Sequence, residues 1–273
     1  MTNIKTNKQI IDEEAGLMIK IDKTLKEMME EKPESRWDPN YWHPKYDFII
    51  KKISPKFRLN KLSELIKQEN IVQGDIPRKQ RGEEFVDESN YKIIEGNSFL
   101  FTGIDYLKCK SILQKHFKRL MRTTPKKGDI LFVRSGSIGK VVSISKDLLN
   151  YVISGHVNRV FELKQANSFY ITIFLLSKFG QAQLEKQQRG VAVVEINFNE
   201  FRRIIIPILP DKIQNHIEQE YLKMSKFHDK TMEAKKKGDE KGYKENLEIA
   251  EKMLRDLIEK TEQVIRGEKD DVI

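Results

Sequence analysis

The chain has 273 residues, 50 basic and 41 acidic side chains for a net charge of +9, and is 33% charged and 38% hydrophobic. That length can bury a core of one or two domains. No apolar run approaches the roughly 20 residues of a membrane helix. The polar, mixed-charge N-terminus is no signal peptide, and a lone cysteine, Cys109, excludes an intrachain disulfide and a thiolate-rich zinc site. A cytoplasmic protein with no membrane contact is expected.

Between Lys8 and Lys32, Ile10, Leu17, Ile21 and Met28 recur at helical spacing among acidic residues, which predicts an amphipathic N-terminal helix ended by Pro33. Arg36 to Pro44 carries Trp37, Tyr41 and Trp42 among prolines. It reads as a stiff connector and packing lid, with His43 structural and base stacking as the alternative. From Tyr46 to Pro207 the pattern is mixed. A short helix is expected within 57–68, a basic loop at Arg78, Lys79 and Arg81, and a strand and turn in 92–105. Strands follow at 130–133 and 141–144, and a strand pair broken at Ser154-Gly155 in 151–163. A helix over 168–187 has Phe169, Ile173, Leu176, Phe179 and Leu184 on one face, and short strands close the domain at 191–196 and 201–208. This is an α+β domain with a mixed sheet.

The most informative stretch is Gly128 to Lys140. The apolar run Ile130 to Val133 predicts a strand buried on both faces, then a loop of small residues with two glycines between Arg134 and Lys140. Such a loop can bring backbone N–H groups close to an anion. The local pattern fits a plain hairpin turn equally well, and no P-loop or dinucleotide fingerprint is present. The surroundings add weight. From Lys108 to Lys140 there are ten basic residues and one acid, Asp129, an excess of +9 that equals the charge of the whole chain. A polyanion-binding face is expected there. The candidate contacts are Arg78, Lys79, Arg81, Lys118, Arg119, Arg122, Lys126, Lys127, Arg134, Ser135, Ser137, Lys140, Arg159 and Arg189. Arg134 either reads a base or a buried phosphate, or holds the turn by pairing with Asp129 or a carbonyl.

After Pro210 the character changes. Asp211 can cap a helix beginning near Lys212, with Ile213, Ile217, Met224, Phe227 and Ala234 on one stripe. Residues 235–242 interrupt it. Leu247, Ala250, Leu254, Leu257, Thr261 and Val264 then step by three and four, a heptad seam. The two stripes are out of register, so either a turn folds them back or a stutter re-aims them. The seam has to be covered: by the first helix folded back at Gly238, by the N-terminal helix, or by the antiparallel arm of a second copy. The expected organisation is an N-terminal helix over 1–35, an α+β domain over 36–210 and a long, coiled-coil-like helical arm over 211–267.

No catalytic set is apparent. There is no H-E-x-x-H or G-x-S-x-G, no convincing nuclease core, and no methyl-transfer motif; Asn197-Phe198-Asn199 is not an N-P-P-[FY] loop, and Asp129 and Glu195 are isolated. No metal site is expected, and a binding subunit rather than an enzyme is.

Four segments carry a family resemblance. They are Arg36-Trp37-Asp38-Pro39-Asn40-Tyr41-Trp42-His43-Pro44; Gly128-Asp129-Ile130-Leu131 through Arg134-Ser135-Gly136-Ser137-Ile138-Gly139-Lys140; Gly190 through Ile196-Asn197 to Phe201; and Ile206-Pro207-Ile208-Leu209-Pro210 followed by Gln214. Together they resemble the signatures of the specificity (S) subunit of type I restriction-modification enzymes, over about Trp37 to Arg266. Asp211 stands where a second proline is usual. Full S subunits contain two target recognition domains and two long helical regions, so this chain resembles a half-subunit. The resemblance implies a phage-defence role in which the α+β domain reads a half-site in double-stranded DNA. It implies that the helices space and dock the DNA methyltransferase subunit, with a separate restriction (motor) subunit in the full complex. S-adenosylmethionine and ATP are then expected only on those partners, and no cofactor on this chain. A homodimer, or pairing with another S chain, through Leu247 to Val264 is expected, reading two inverted half-sites. Two other readings remain: a non-catalytic protein-binding adaptor with a basic solvated face, and a single-chain nuclease.

Overall fold

The computed structural model describes residues 9–12, 17–20, 41–75, 85–189 and 194–273. The chain divides into two compact units, Met1–Lys52 and Ile53–Ile273. In the first, β1 (Gln9–Asp12) and β2 (Leu17–Lys20) pair antiparallel, with Ile10 opposite Ile19 and Ile11 opposite Met18. This corrects the expected N-terminal helix. A helical stripe used only Ile10 and Leu17 from two consecutive apolar runs and left Ile11, Met18 and Ile19 off it. Strands place each run against the other, as β-branched neighbours prefer. The rest of that helix, and Arg36 to Asn40, lie outside the described residues. α1 (Pro44–Ile50) follows, with His43 as its N-cap: Nδ1 accepts from the Lys45 N–H at 3.1 Å, and Pro44 sits in the first turn, where its missing N–H does no harm.

The second unit is layered. β3 (Arg58–Lys61) runs into the one-turn helix α2 (Leu62–Leu65). Then come β4 (Ile71–Gln73), β5 (Phe85–Val86), β6 (Lys92–Ile94), β7 (Lys110–Ile112), α3 (Gln114–Leu120), β8 (Ile130–Val133), β9 (Val141–Ser143), β10 (Tyr151–Ile153) and β11 (Val157–Val160). One sheet has the order β10-β6-β7-β5 and pairs β10 with β6 in parallel; a second, β4-β11-β8-β9, is antiparallel throughout. The sheet content is therefore mixed, as expected. Leu131, Val133, Val142 and Val157 from the second sheet meet Ile94 and Ile153 from the first in one core. α3 covers the far face of the first sheet through Phe117 and Leu120.

The far face of the second sheet is covered by α4 (Ser168–Leu176) and the one-turn α6 (Phe198–Phe201), whose Phe201 stacks on Phe132 at 3.8 Å between ring centroids, and α5 (Lys178–Gln187) packs on both of these helices. Two covered faces explain why all four residues of β8 are buried. The single helix expected over 168–187 is two helices, because Ser177 ends the first and caps the second, its side chain accepting from the Gly180 N–H. β12 (Ile205–Ile208) pairs with β3.

α7 (Asp211–Lys237) and α8 (Glu240–Arg266) form an antiparallel hairpin. Pro210, not Asp211, holds the N-cap of α7, and Asp211 is its first helical residue. The turn follows from sequence. Gly238 takes φ +73°, a left-handed cap that glycine adopts at little cost, and the Asp239 side chain accepts from the Gly242 N–H to start α8. Ala250, Leu254, Thr261 and Val264 are fully buried and Leu257 nearly so, while Leu247 is half-buried. The seam is covered within the chain by the folded-back helix. Of the three covers expected, the first helix folded back at Gly238 is the one present, so burying the seam needs no second copy.

α7 is also pinned to β9, to the segment 102–105 and to Lys146. The Tyr221 hydroxyl accepts from the Ser143 N–H and donates to the Ser143 carbonyl. The buried His228 donates from Nε2 to the Ile104 carbonyl at 3.0 Å and has Nδ1 2.9 Å from the Thr102 hydroxyl. Burial holds this imidazole below its ordinary pKa, so the neutral ring accepts from Thr102. Lys235 pairs with the buried Asp105, and Lys146 with Asp229 at 2.8 Å.

The C-terminal strap returns to the start of α7. His216 Nδ1–H donates to Asp271 at 2.8 Å, Lys212 lies 3.6 Å from the same carboxylate, and Val272 is buried. Desolvation pushes the Asp271 carboxyl up, but the His216 and Val272 hydrogen bonds and the nearby charges outweigh it, leaving the pKa below the usual aspartate range. A depressed carboxyl contributes stability above its unfolded pKa of about 4 and loses it as pH falls through the lower folded value. The strap is therefore expected to release below about pH 4, before the unit unfolds, read as loss of amide-exchange protection at Val272. Protection unchanged down to global unfolding would show that the carboxylate does not hold it.

Candidate nucleic-acid interface

β8 divides the basic segment in two. It spans about 13 Å at roughly 3.3 Å per residue. Lys126 and Lys127 precede its first residue, whereas the loop from Arg134 to Lys140 follows its last. The predicted cations therefore do not form one cluster.

At the leading end lies a cleft of about 640 Å³ with Arg122, Lys126 and Lys127 on its walls, Phe161 and Leu163 as apolar lining, and Ser168 at the start of α4. Asp129 and Arg159 line it as a buried pair, with side chains 6% and 9% exposed. Asp129 Oδ2 accepts from Arg159 Nε at 2.5 Å and from the Lys126 N–H at 2.6 Å. Arg159 Nη1 donates to the Arg122 carbonyl, and its guanidinium lies 4.5 Å over the Phe161 ring. Burial pushes the Asp129 carboxyl up, and the hydrogen bonds from Arg159 and Lys126 offset this only in part. Arg159 thus holds the cleft's shape. Gly128 takes φ +87° between Lys127 and this pair. A side chain with a Cβ is strained in that conformation.

At the trailing end, Arg134 pairs with Glu195 at 3.0 Å, not with Asp129. The loop is stitched to the segment before α6 through Gly136 N–H to the Val194 carbonyl and Ile196 N–H to the Arg134 carbonyl. The Ile138 N–H donates to the Gly136 carbonyl. Two of the amides expected to face an anion are therefore bonded inside the protein. Ser137 is exposed, Ser135 half-buried, and Lys140 Nζ reaches the Phe99 carbonyl at 3.4 Å. Arg119 on α3 pairs with Asp75 at 2.5 Å, and Arg189 with the buried Glu200. Arg78, Lys79 and Arg81 lie outside the described residues.

What remains is a set of exposed cations. Among the described residues, Lys115, Lys118, Arg122, Lys126 and Lys127 are exposed with no acid in ion-pair range. Lys115 was not among the candidates. Its spacing of three from Lys118 places both on one face of α3, a signal present in the sequence.

A family model described as the type I restriction modification DNA specificity domain matches residues 56–240. The chain belongs to that family. The match covers β3 through the turn after α7, and so includes both ends of β8 and the cleft. No curated protein matches the chain. Among solved structures, the specificity domain is similar to the S subunit of a type I restriction-modification system from M. genitalium, at 14% identity and a TM-score of 0.43, covering 67% of this chain and 42% of that one. The HsdS subunit from Thermoanaerobacter tengcongensis matches at 14% identity and 0.41, over 89% and 56%. The type IIG restriction endonuclease BpuSI matches at 10% identity and 0.47, over 84% and 35%. The chain thus spans from about a third to a little over half of these structures.

Proposed function

We propose that this specificity domain binds double-stranded DNA across the cleft at the leading end of β8, with Lys118, Arg122, Lys126 and Lys127 on phosphates, as the recognition element of a type I-like restriction-modification system. The observation that carries this is the run of exposed cations with no acid partner around one concave, partly apolar site. Phosphates attract such a surface regardless of sequence. Ser137 and the Glu195-tethered Arg134 form a second contact at the far end of the same strand. In this reading the helical hairpin docks the methyltransferase subunit. S-adenosylmethionine and ATP sit on partner subunits, and two-fold pairing with another S chain supplies the second half-site.

The logarithm of DNA affinity falls with that of salt concentration at about −0.9 per phosphate contacted. Replacing Arg122, Lys126 and Lys127 together by glutamate should make that slope shallower by about 3 and lower affinity at every salt concentration. A slope that does not move would sink the assignment and favour a protein-binding adaptor with a merely solvated basic face. The same preparation should methylate DNA only when the methyltransferase subunit and S-adenosylmethionine are added. Methyl incorporation by the chain alone would refute the accessory role.

A further inference from the structure

The two long helices present different outer faces. On α7 every exposed position is polar or charged; six of these are Lys212, Lys223, Lys226, Lys230, Lys236 and Lys237, against only two exposed acids, Asp211 and Glu233. Lys212 and Lys223 have acid partners, Asp271 and Glu220, while among the described residues the other four have none. Steps of three, four and seven keep Lys223, Lys226, Lys230 and Lys237 on one side of the helix, with Glu233 the one exposed acid among them. On α8 the exposed residues between Lys241 and Glu259 balance four cations with four acids and include Ile249, 42% exposed.

A protein interface needs an apolar, desolvated centre, and the outer face of α7 has none. A phosphate backbone needs only cations at intervals. Lys223 to Lys237 spans about 21 Å at roughly 1.5 Å per residue. One DNA strand presents a phosphate about every 3.4 Å of axis, so about six pass along that length. The face also adjoins the cleft. The Lys127 N–H donates to Asp147 at 2.8 Å, and the neighbouring Lys146 pairs with Asp229, between Lys226 and Lys230. On the cleft's other side, Asn167 bonds Glu218 of α7.

We propose that the lysine face of α7 lies along the sugar-phosphate backbone of duplex DNA beyond the segment held by the cleft, gripping it without reading bases. The inference rests on the DNA-binding reading above and adds a second, sequence-independent contact that only longer DNA reaches.

The test compares mixed-sequence duplexes of roughly 12 and roughly 30 base pairs, about one and three helical turns, on the full chain. The parent should bind the long duplex more tightly and with a steeper salt slope. Lys226→Glu with Lys230→Glu and Lys237→Glu should remove that gain, lowering the long-duplex slope by about 2–3 and affinity at low salt at least tenfold. Binding of the short duplex should hold. Lys241→Glu with Lys252→Glu on α8 should leave the gain in place, and matching thermal melts would show that all variants fold. Equal losses on both duplexes, or none, overturn the proposal. So does a variant that keeps the gain but no longer retains the methyltransferase subunit, since the face would then be a protein dock. A parent that binds neither duplex removes the DNA-binding reading itself, and this inference with it.

Discussion

Replacing Asp129 by alanine is expected to destabilise the second unit by about 3–5 kcal/mol, because it strands the Arg159 guanidinium without a counter-charge in a site where that side chain is 9% exposed. For a unit of this size about 2–4 °C accompanies each kcal/mol, so the melting temperature should fall by roughly 6–20 °C. Arg159→Leu should be comparably costly, since it leaves the Asp129 carboxylate buried with only the Lys126 N–H. The two together should cost less than either alone, because replacing both members of a buried pair by apolar groups is often neutral. Additive losses in thermal melts would show that the two residues act independently. Because the pair lines the cleft, the single variants should also lose DNA affinity under conditions where they remain folded.

Leu254→Asp is expected to abolish cooperative folding of the hairpin rather than to separate two chains. Leu254 is fully buried, with Ala250 and Leu257 a turn away on the same seam. Removing a buried leucine costs about 2–5 kcal/mol, and placing a carboxylate in the vacated apolar site adds several more. That total approaches the whole stability of a typical domain. Circular dichroism and light scattering together decide the matter. A variant that is helical, melts cooperatively and is half the mass of its parent would mean that the seam is held between copies.

Much of the fold was legible because its signals are local. The strand, turn and strand from Ile130 to Ser143 and the stripe from Leu247 to Val264 follow from spacing within a few residues, whereas spacing left open whether the arm folds back at Gly238 or pairs between copies. The break at Ser177 was missed, because the apolar face running through it outweighed a single serine that can cap a helix. What escaped the sequence was the pairing of charges. Arg159 meets Asp129 thirty positions away, Arg119 meets Asp75 at forty-four, and Arg134 meets Glu195 at sixty-one. Those meetings depend on strand register and sheet order, which a count of basic residues cannot supply. A cation held by an acid and a cation facing solvent look alike in a sequence. The candidate site was therefore read as one basic face where the molecule divides it. The N-terminal strands were missed for another reason: two short apolar runs can be sampled at helical spacing while most of their apolar residues lie off the stripe.

The second unit also closes on itself. The Ser54 N–H donates to the Ile265 carbonyl at 2.8 Å, and Lys56 lies 3.4 Å from Asp270. Two helices of 27 residues each carry the chain out and back to where it entered. Its entrance and exit are neighbours, so such a unit can be spliced into a longer polypeptide, repeated in tandem, or opened at the Gly238 turn and rejoined at its ends by a short tether, without disturbing the layers between.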